Sequence, residues 1–521
     1  MSGGATPGDG LLPARAARAI VPGERIHVIG AAGAGASAAA LHASWAGAIV
    51  DGCDPGGPSP YTAALAAEGI DVAGEHAATH VSRVPPPDRL AVTKALTAVA
   101  PDHPELLAAR AAGIPIEPWQ QVIADAAVGR TLVGVAGTHG KSTTAGWLVH
   151  VLAAAGLDPM AFVGALLAPG PAGGPPATAR RGSGSVFVVE ADEYAGNFDA
   201  YHPDHAIVTN ADWDHPDVFA DRAAVIDAFE GWLRRAAGAG PAPVLYANTG
   251  DDGAAALADR LGRDWPGRIV ATQLVDAPSL VMELVERDLQ NRFDGDFQPA
   301  GALLGRVAAS GPDGTTLELH SSTFLAEPLT VHLPIPGRHN AANAISVAAA
   351  ALGLGVPVDE VASGLASFGG VGRRLERKGE SGGVLVFDDY GHHPAAIRAT
   401  LAAVRERVPG RRLWAVYEPL TYHRTATFLE EFAAALAAAD GVAIADIWAG
   451  RDPDTTIASA AGLAEAVARR NPSIPVAAPG SVEATAAWLT DEVRSGDVVL
   501  VMGGGRSYRI GEILLEALAG R

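Results

Sequence analysis

Short runs of apolar, often β-branched residues recur along the chain, each ending in glycine or a carboxylate and followed by an alanine- and leucine-rich stretch. The first, Arg25-Ile-His-Val-Ile-Gly30, passes through Ala31-Ala-Gly-Ala-Gly-Ala36 into such a stretch. Apolar runs of this length bounded by turn residues predict buried strands, and the stretches between them predict helices. Alternation of the two predicts an α/β fold with mostly parallel sheets.

A second unit begins at Thr131-Leu-Val-Gly-Val-Ala136, which leads into Gly137-Thr-His-Gly-Lys-Ser-Thr-Thr144 and a helix. Two further strands, in Ser185-Val-Phe-Val-Val-Glu-Ala-Asp-Glu193 and Ala206-Ile-Val-Thr-Asn-Ala-Asp-Trp-Asp-His215, end in acidic residues. From residue 251 to 330 the pattern weakens, and the polar segment from Asn291 to Gln298 reads as loops or edge hairpins. A third unit starts near Val371, with strands in Gly383-Val-Leu-Val-Phe-Asp-Asp-Tyr390, Arg412-Leu-Trp-Ala-Val-Tyr417 and Asp497-Val-Val-Leu-Val-Met502.

The 521 residues suffice for about three domains. A formal net charge of −20 argues against nonspecific attraction to nucleic acid or an anionic membrane. Alanine-rich stretches such as Ile345 to Leu354 are too short to span a bilayer, so no membrane insertion is expected. The single cysteine, Cys53, excludes an internal disulfide and a multi-cysteine zinc site, which fits a cytoplasmic location. Arginine supplies nearly all the positive charge, and the only lysines are Lys94, Lys141 and Lys378. One of these three falls in the loop after the second unit's first strand.

That loop has the setting of a phosphate-binding loop: strand before, helix after, glycine at 137 and 140, although Val135 stands where the strict pattern has its first glycine. Backbone amides would wrap phosphate oxygens, Lys141 would supply a point charge, and Ser142 could ligate Mg²⁺. The acidic strand ends at Glu190 to Glu193 and Asp212 to His215 strengthen a reading of Mg²⁺-nucleotide chemistry. The turn at Gly30 could hold a second phosphate group, with Asp51 or Asp54 about 20 residues on for a ribose; a plain strand-to-helix connection is the competing reading. His339, Asn340 and Asn343 could cap a helix or reach a base, and His392 and His393 could simply pack a turn. Lys94 could face a diphosphate, but reads first as a solvated surface lysine.

Taken in order, the loop from Gly137 to Thr144, Glu190 to Glu193, Asp214-His215, Gly337-Arg-His-Asn340 with Asn343, Arg373-Arg374 and Asp388-Asp-Tyr-Gly-His-His-Pro394 resemble the Mur ligases. The resemblance runs from Ile26 to about Leu515 and is nearest to members that join L-alanine to UDP-N-acetylmuramate. It implies a flexible leader at 1–24, a Rossmann-like UDP-sugar domain at 25–127, a central P-loop ATPase-like domain at 128–370 and a Rossmann-like acceptor domain at 371–521. It further implies ATP and Mg²⁺ as cofactors, with UDP-N-acetylmuramate and a small amino acid as partners, and an amide made through an acyl phosphate; oligomeric state stays open.

By matching positions, the resemblance gives catalytic roles to Lys141, His215, Arg374 and His392. ATP would meet Gly137, Thr138, His139, Gly140, Lys141, Ser142 and Thr143 of the loop, and His339, Asn343, Arg374, Asp389 and Tyr390 beyond it. Ser142, Glu190 and His215 would hold the metal, directly or through water. Gly30, Gly33, Gly35, Ser37 and Asp54 would bind the UDP-sugar, and His392, Tyr422 and Arg424 the acceptor. This sequence departs from the family at Glu418-Pro-Leu-Thr-Tyr-His-Arg-Thr425, where Gln-Pro-His-Arg-Tyr-x-Arg-Thr is usual. Leu420 and Thr421 thus replace two polar groups, and Glu418-Pro419 matches the related murein tripeptide ligases, making a peptide or another amino acid as acceptor the alternative. Ala36 and the Thr93-Lys94 pair depart from the usual sugar-site residues.

Overall fold

Three sheets take up the strands in a computed structural model that describes residues 6–169, 173–276, 301–321, 323–448, 452 and 454–520. The first sheet is wholly parallel, with Val72–Ala73, Ile49–Cys53, Arg25–Ile29, Arg89–Val92 and Ile116–Pro118 in that spatial order. The largest is centred on Thr131–Ala136, flanked by the parallel strands His205–Val208 and Val186–Glu190. In the third, Val384–Asp389, Val498–Gly503 and Leu413–Glu418 run parallel at the centre, with Glu376–Ser381 antiparallel on one edge. The α/β class and three-domain organisation match what the strand and helix alternation predicts.

All-apolar strands need cover on both faces, and the helices provide it. In the middle domain the helix Lys141–Ala154 buries Trp147, Leu148 and Val151, and Trp147 stacks on Phe368 with ring centroids 4.8 Å apart. The alanine-rich helix Arg338–Gly353 lies in the same core, buried along most of its length because alanine lets it approach the sheet closely. No helix among the described residues is long and apolar enough to cross a membrane.

Three expectations change. The described residues between 251 and 330 extend the middle sheet: helix Asp252–Leu261 and strands Arg268–Leu274, Gly301–Gly311, Gly314–His320 and Leu329–Leu333. Alternation in strands of mixed polarity hid this extension; the segment from Asn291 to Gln298 lies outside the described residues. Residues 6–24, expected as a flexible leader, carry no strand or helix but are held to the first domain. Leu12 N donates to the Ile116 carbonyl at 2.8 Å, and Arg15 pairs with Glu117 and with the buried Asp125, both at 2.8 Å. Lys94 is no surface lysine: its Nζ donates to the carbonyls of Ala195 and Gly196, at 2.9 and 2.7 Å, tying the first domain to the second.

The first two domains also meet through helix Ala34–Trp45, whose His42 Nε2 lies 2.9 Å from the Ala161 carbonyl oxygen. Burial drives this imidazole down to about 4, so it is neutral at pH 7. The docking leaves a cleft open between the glycine turn of the first sheet and the loop after Ala136.

Candidate active site

Strand Thr131–Ala136 delivers the loop 137–140 to the N-terminus of helix Lys141–Ala154, where unpaired amides favour an anion. Gly140 enters that helix at φ 80°, and a Cβ there would come within 3.0 Å of the Asn343 side chain, so only glycine fits. Asn210 pins the loop, accepting from His139 N at 2.8 Å and donating to the His139 carbonyl at 2.9 Å. Lys141 folds back, donating to the Gly137 carbonyl at 2.7 Å and to Glu193 Oε2 at 2.9 Å. Burial opposes its charge, but Glu193 and Asp192 outweigh that and raise its pKa, so the ammonium stays charged.

Ser142 sits between two groups: its hydroxyl donates to Glu190 Oε1 at 3.0 Å and accepts from Arg374 Nη2 at 2.8 Å. Arg374 comes from the third domain's entry, where Arg373 and Leu375 take positive φ values of 59° and 50°. Such backbone is strained for non-glycine residues and needs outside support. Arg373 supplies it, buried and bonded to Asp388 Oδ2, the Gly503 carbonyl and Ser507 Oγ at 2.8 to 3.1 Å. Asp389 adds to it by accepting from Leu375 N at 2.8 Å and Gly391 N at 2.7 Å.

Two cavities meet at this point. One of about 300 Å³ is lined by Thr143, His339, Asn343, Arg374 and Asp389, all expected around the nucleotide. The other, about 530 Å³, runs from Gly33 and Gly35 of the first domain past Lys141, Glu190 and His215 to His392 and Leu420 of the third. His139, Gly140, Arg374 and Ala396 line both. Tyr390, expected beside the nucleotide, faces the larger cavity instead, its ring 5.0 Å from the Arg374 guanidinium carbon and 5.1 Å from that of Arg373. Thr138 also lines the larger one, while Gly137 lines neither and serves through its carbonyl.

The expected metal set is split. Ser142 and Glu190 are together, but Glu190 Oε2 is also taken by Gly164 N at 2.6 Å. His215 gathers with Asp192 and Glu193, whose donor atoms lie within 4.8 Å of one another. Both carboxylates follow Glu190 on the strand end whose acidity already pointed to Mg²⁺, although the resemblance gave only Glu190 as a ligand.

The chain matches the family described as Mur ligase family, catalytic domain, over residues 25–131, and Mur ligase, glutamate ligase domain, over 373–505. It is 38% identical to the UDP-N-acetylmuramate–L-alanine ligase of Mycolicibacterium smegmatis, covering 95% of each chain. With the enzyme of that name from Frankia casuarinae the identity is 35% over 95% of this chain and 98% of the relative. The chain belongs to the Mur ligase family. Two solved structures share the fold of this Mur ligase. UDP-N-acetylmuramate-alanine ligase from Thermotoga maritima superposes with a TM-score of 0.72 at 23% identity, covering 94% of this chain and 98% of its own. A murein peptide ligase from Psychrobacter arcticus gives 0.69 at 23% identity, over 96% and 99%.

In this Mur ligase the first-domain candidates divide. Gly33 and Gly35 line the larger cavity, with Lys94 and Trp119 beside them; the sequence offered Lys94 as an alternative partner for a diphosphate, whereas nothing in its pattern marked Trp119. Gly30 and Asp54 shape the turn from behind: Gly30 takes φ 78°, and Asp54 Oδ2 accepts from Ala32 N at 3.1 Å. Ser37 is turned away, buried, its hydroxyl donating to the Ala34 carbonyl at 3.0 Å, 3.3 Å from Thr178 Oγ1. Helical spacing puts it on the face docked to the second domain.

The acceptor candidates are also rearranged. His392 lines the larger cavity, and with Nδ1–H given to the Tyr390 carbonyl at 3.0 Å its Nε2 is left as an acceptor. Burial and the Arg424 guanidinium hold its pKa well below the ordinary value, so it stays neutral. Arg424 lines neither cavity: Nε donates to Asp214 Oδ1 at 2.8 Å, and Nη2 lies 3.2 Å from His215 Nδ1. Tyr422 lies outside both as well, its amide bonded to Asp452. Leu420 does reach the larger cavity and gives it an apolar wall.

Proposed function

We propose that this Mur ligase uses ATP to join L-alanine to the lactyl carboxylate of UDP-N-acetylmuramate in peptidoglycan precursor synthesis. The observation that carries this is the shared wall of the two cavities, made by the loop at His139 and Gly140 with Arg374 opposite. In this reading adenosine would occupy the smaller cavity, and the sugar nucleotide and amino acid the larger. A terminal phosphate at Lys141 and Ser142 would then face a carboxylate arriving from the larger side.

In the first step a carboxylate oxygen attacks the γ-phosphorus, the bond to the bridging oxygen breaks, and ADP leaves. Lys141 and Arg374 neutralise charge that develops where two anions meet. In the second, the amine attacks the acyl carbon and phosphate departs. His392 lines the larger cavity with Nε2 4.0 Å from Asp214 Oδ2, and would take the proton the amine sheds with the carboxylate balancing the imidazolium formed. The oxygen-rich set Ser142, Glu190, Asp192 and Glu193, with His215, fits Mg²⁺, which when bound would supply further charge neutralisation to the phosphates. One cysteine in 521 residues accords with a reducing, cytoplasmic setting for this chemistry.

A murein-peptide acceptor is the second reading, favoured by the apolar Leu420 wall and by the engagement of Arg424 with Asp214. ADP and phosphate release should be measured with Mg-ATP, UDP-N-acetylmuramate and, separately, L-alanine, glycine, L-serine and murein tripeptide, with Lys141→Ala as blank. Preference for L-alanine supports the first reading, and turnover with tripeptide alone the second. Silence with every acceptor, with ATP binding demonstrated, would sink both.

A further inference from the structure

Far from the phosphate loop, the first domain buries a cluster that the ligase chemistry does not use. Strand pairing sets it up: in the register of Arg25–Ile29 with Ile49–Cys53, His27 lies beside Asp51 and Ile29 beside Cys53. Alternation along both strands then sends His27, Asp51 and Cys53 to the same face. Opposite them stand His80, from the short helix Thr79–Ser82, and Glu105, from the first turn of Pro104–Ala112. His27, Cys53 and Glu105 are at most 1% exposed.

We propose that His27, Cys53, His80 and Glu105 form a structural Zn²⁺ site beneath the glycine turn of the first domain. Their donor atoms all lie within 4.8 Å of one another. Cys53 Sγ is 3.5 Å from His27 Nε2 and 3.2 Å from Glu105 Oε1; Glu105 reaches His27 Nε2 at 2.9 Å and His80 Nδ1 at 3.1 Å. A tetrahedral Zn²⁺ with bonds of about 2.0 Å to nitrogen or oxygen and about 2.3 Å to sulfur sets its ligands roughly 3.3 to 3.6 Å apart. The four spacings that involve Glu105 or join Cys53 to His27 are thus within a few tenths of an ångström of a coordination shell, and His80 lies within 4.8 Å of the other donors. One thiolate, two imidazoles and a carboxylate are a zinc donor set, and four protein ligands mark a closed, structural site.

Two further observations point to an ion. His27 gives its other nitrogen, Nδ1, to Asp51 Oδ1 at 2.7 Å, and Asp51 is braced by Arg83. A carboxylate behind a ligating histidine fixes the ring and makes it a better donor. Beside the cluster, both ring nitrogens of His103 are buried without a hydrogen-bond partner, and its ring packs 4.3 Å from that of His76, whose Nδ1 is 3.1 Å from Cys53 Sγ. Imidazoles gathered this way around one thiol are costly as a purely hydrophobic or hydrogen-bonded core.

Carboxylates flank the His27 ring on both sides, Asp51 Oδ1 at 2.7 Å from Nδ1 and Glu105 Oε2 at 2.9 Å from Nε2, and Arg83 pairs with Asp51. Zn²⁺ taken up between Cys53 Sγ and His27 Nε2 would displace the protons those atoms carry. The gain falls on the sugar side of the cleft, because the Cys53 carbonyl accepts from Gly30 N at 2.9 Å and Ala31 N at 3.2 Å. Clamping Cys53 fixes the strand end from which the glycine turn hangs.

Cobalt tests this directly, because Cys53 is the sole cysteine. Chelator-stripped full-length protein, in excess Mg²⁺ to fill the carboxylate site near Lys141, is titrated with Co²⁺. One equivalent should produce a near-ultraviolet thiolate-to-cobalt charge-transfer band and visible bands of tetrahedral strength, both erased by Zn²⁺. Cys53→Ser should lose the charge-transfer band. Folded His80→Ala, which alters the least buried ligand, 19% exposed, should bind Co²⁺ at least about tenfold more weakly, and Asp51→Asn about 10- to 100-fold more weakly. No charge-transfer band in the folded wild-type protein overturns the proposal and leaves the cluster a buried ion pair. A band that neither His80→Ala nor Asp51→Asn weakens overturns the assigned ligands.

Discussion

Arg424 Nε donates to Asp214 Oδ1 at 2.8 Å across the boundary between the third and second domains, and each side chain is 2% exposed. A charge pair this deep is held by its partner more than by solvent. Although burial pushes the Asp214 carboxyl up, Arg424 and the neighbouring histidines pull its pKa well below the usual range.

Removing one member leaves the other buried and uncompensated. Arg424→Ala should destabilise the protein by about 3 kcal/mol in urea unfolding, and Arg424→Met with Asp214→Leu by much less. Because the folded carboxyl is the stronger acid, the pair contributes fully above about pH 4 and fades as pH falls below that. An equal loss in the single and double variants would show that the pair carries no such coupling.

Glu418 behaves in the opposite sense. It is buried, its Oε2 has no hydrogen-bond partner, and burial pushes its pKa up to about 7. The folded state therefore binds a proton that the unfolded chain has lost, and stability falls as pH rises from about 4 to 7. Glu418→Gln should flatten that slope and stabilise the protein at pH 8 by up to about 3 kcal/mol. Thermal melts of both proteins at pH 5 and pH 8 decide it.

Lys141 and Arg374 come from different domains and both line the larger cavity, where the proposed reaction would place the terminal phosphate. Lys141→Ala should lower kcat roughly 10²- to 10³-fold with folding intact. Arg374→Lys should behave much like Arg374→Ala, since an ammonium cannot both stack on Tyr390 and reach Ser142. Steady-state phosphate release checks both, and full activity in Arg374→Lys would refute the stacked role.

Gly35 lies against the Trp119 ring, where a Cβ would fall 2.2 Å from the nearest ring carbon. Gly35→Ala should cost about 1 to 3 kcal/mol and raise KM for the sugar nucleotide before that for ATP. Calorimetry and the two KM values separate the structural from the binding effect.

The strands and the phosphate loop were legible because their residues act locally: Thr131 to Thr144 is one continuous strand, loop and helix. Arg374 was legible as a charge, but its reach to Ser142 depends on Arg373 anchoring a strained turn through Gly503 and Ser507, contacts more than 100 positions away. Ser37 and Arg424 were misplaced for one physical reason. Spacing gives a residue's element, whereas the face it shows is set by which domain docks there. The cluster around Cys53 combines positions from His27 to Glu105 that only strand register brings together.

The scarcity of lysine has a practical side. Of the three side-chain amines, Lys141 lies in the phosphate loop, Lys94 is tied to two carbonyls at the edge of the cleft, and Lys378 sits 3.3 Å from Glu376. An amine-reactive dye or coupling resin therefore meets almost no bland surface targets on this protein. Among the lysines, labelling that proceeds readily reports on Lys378, whose side chain is 22% exposed, because Lys141 is buried and held as an ammonium by Glu193 and Asp192.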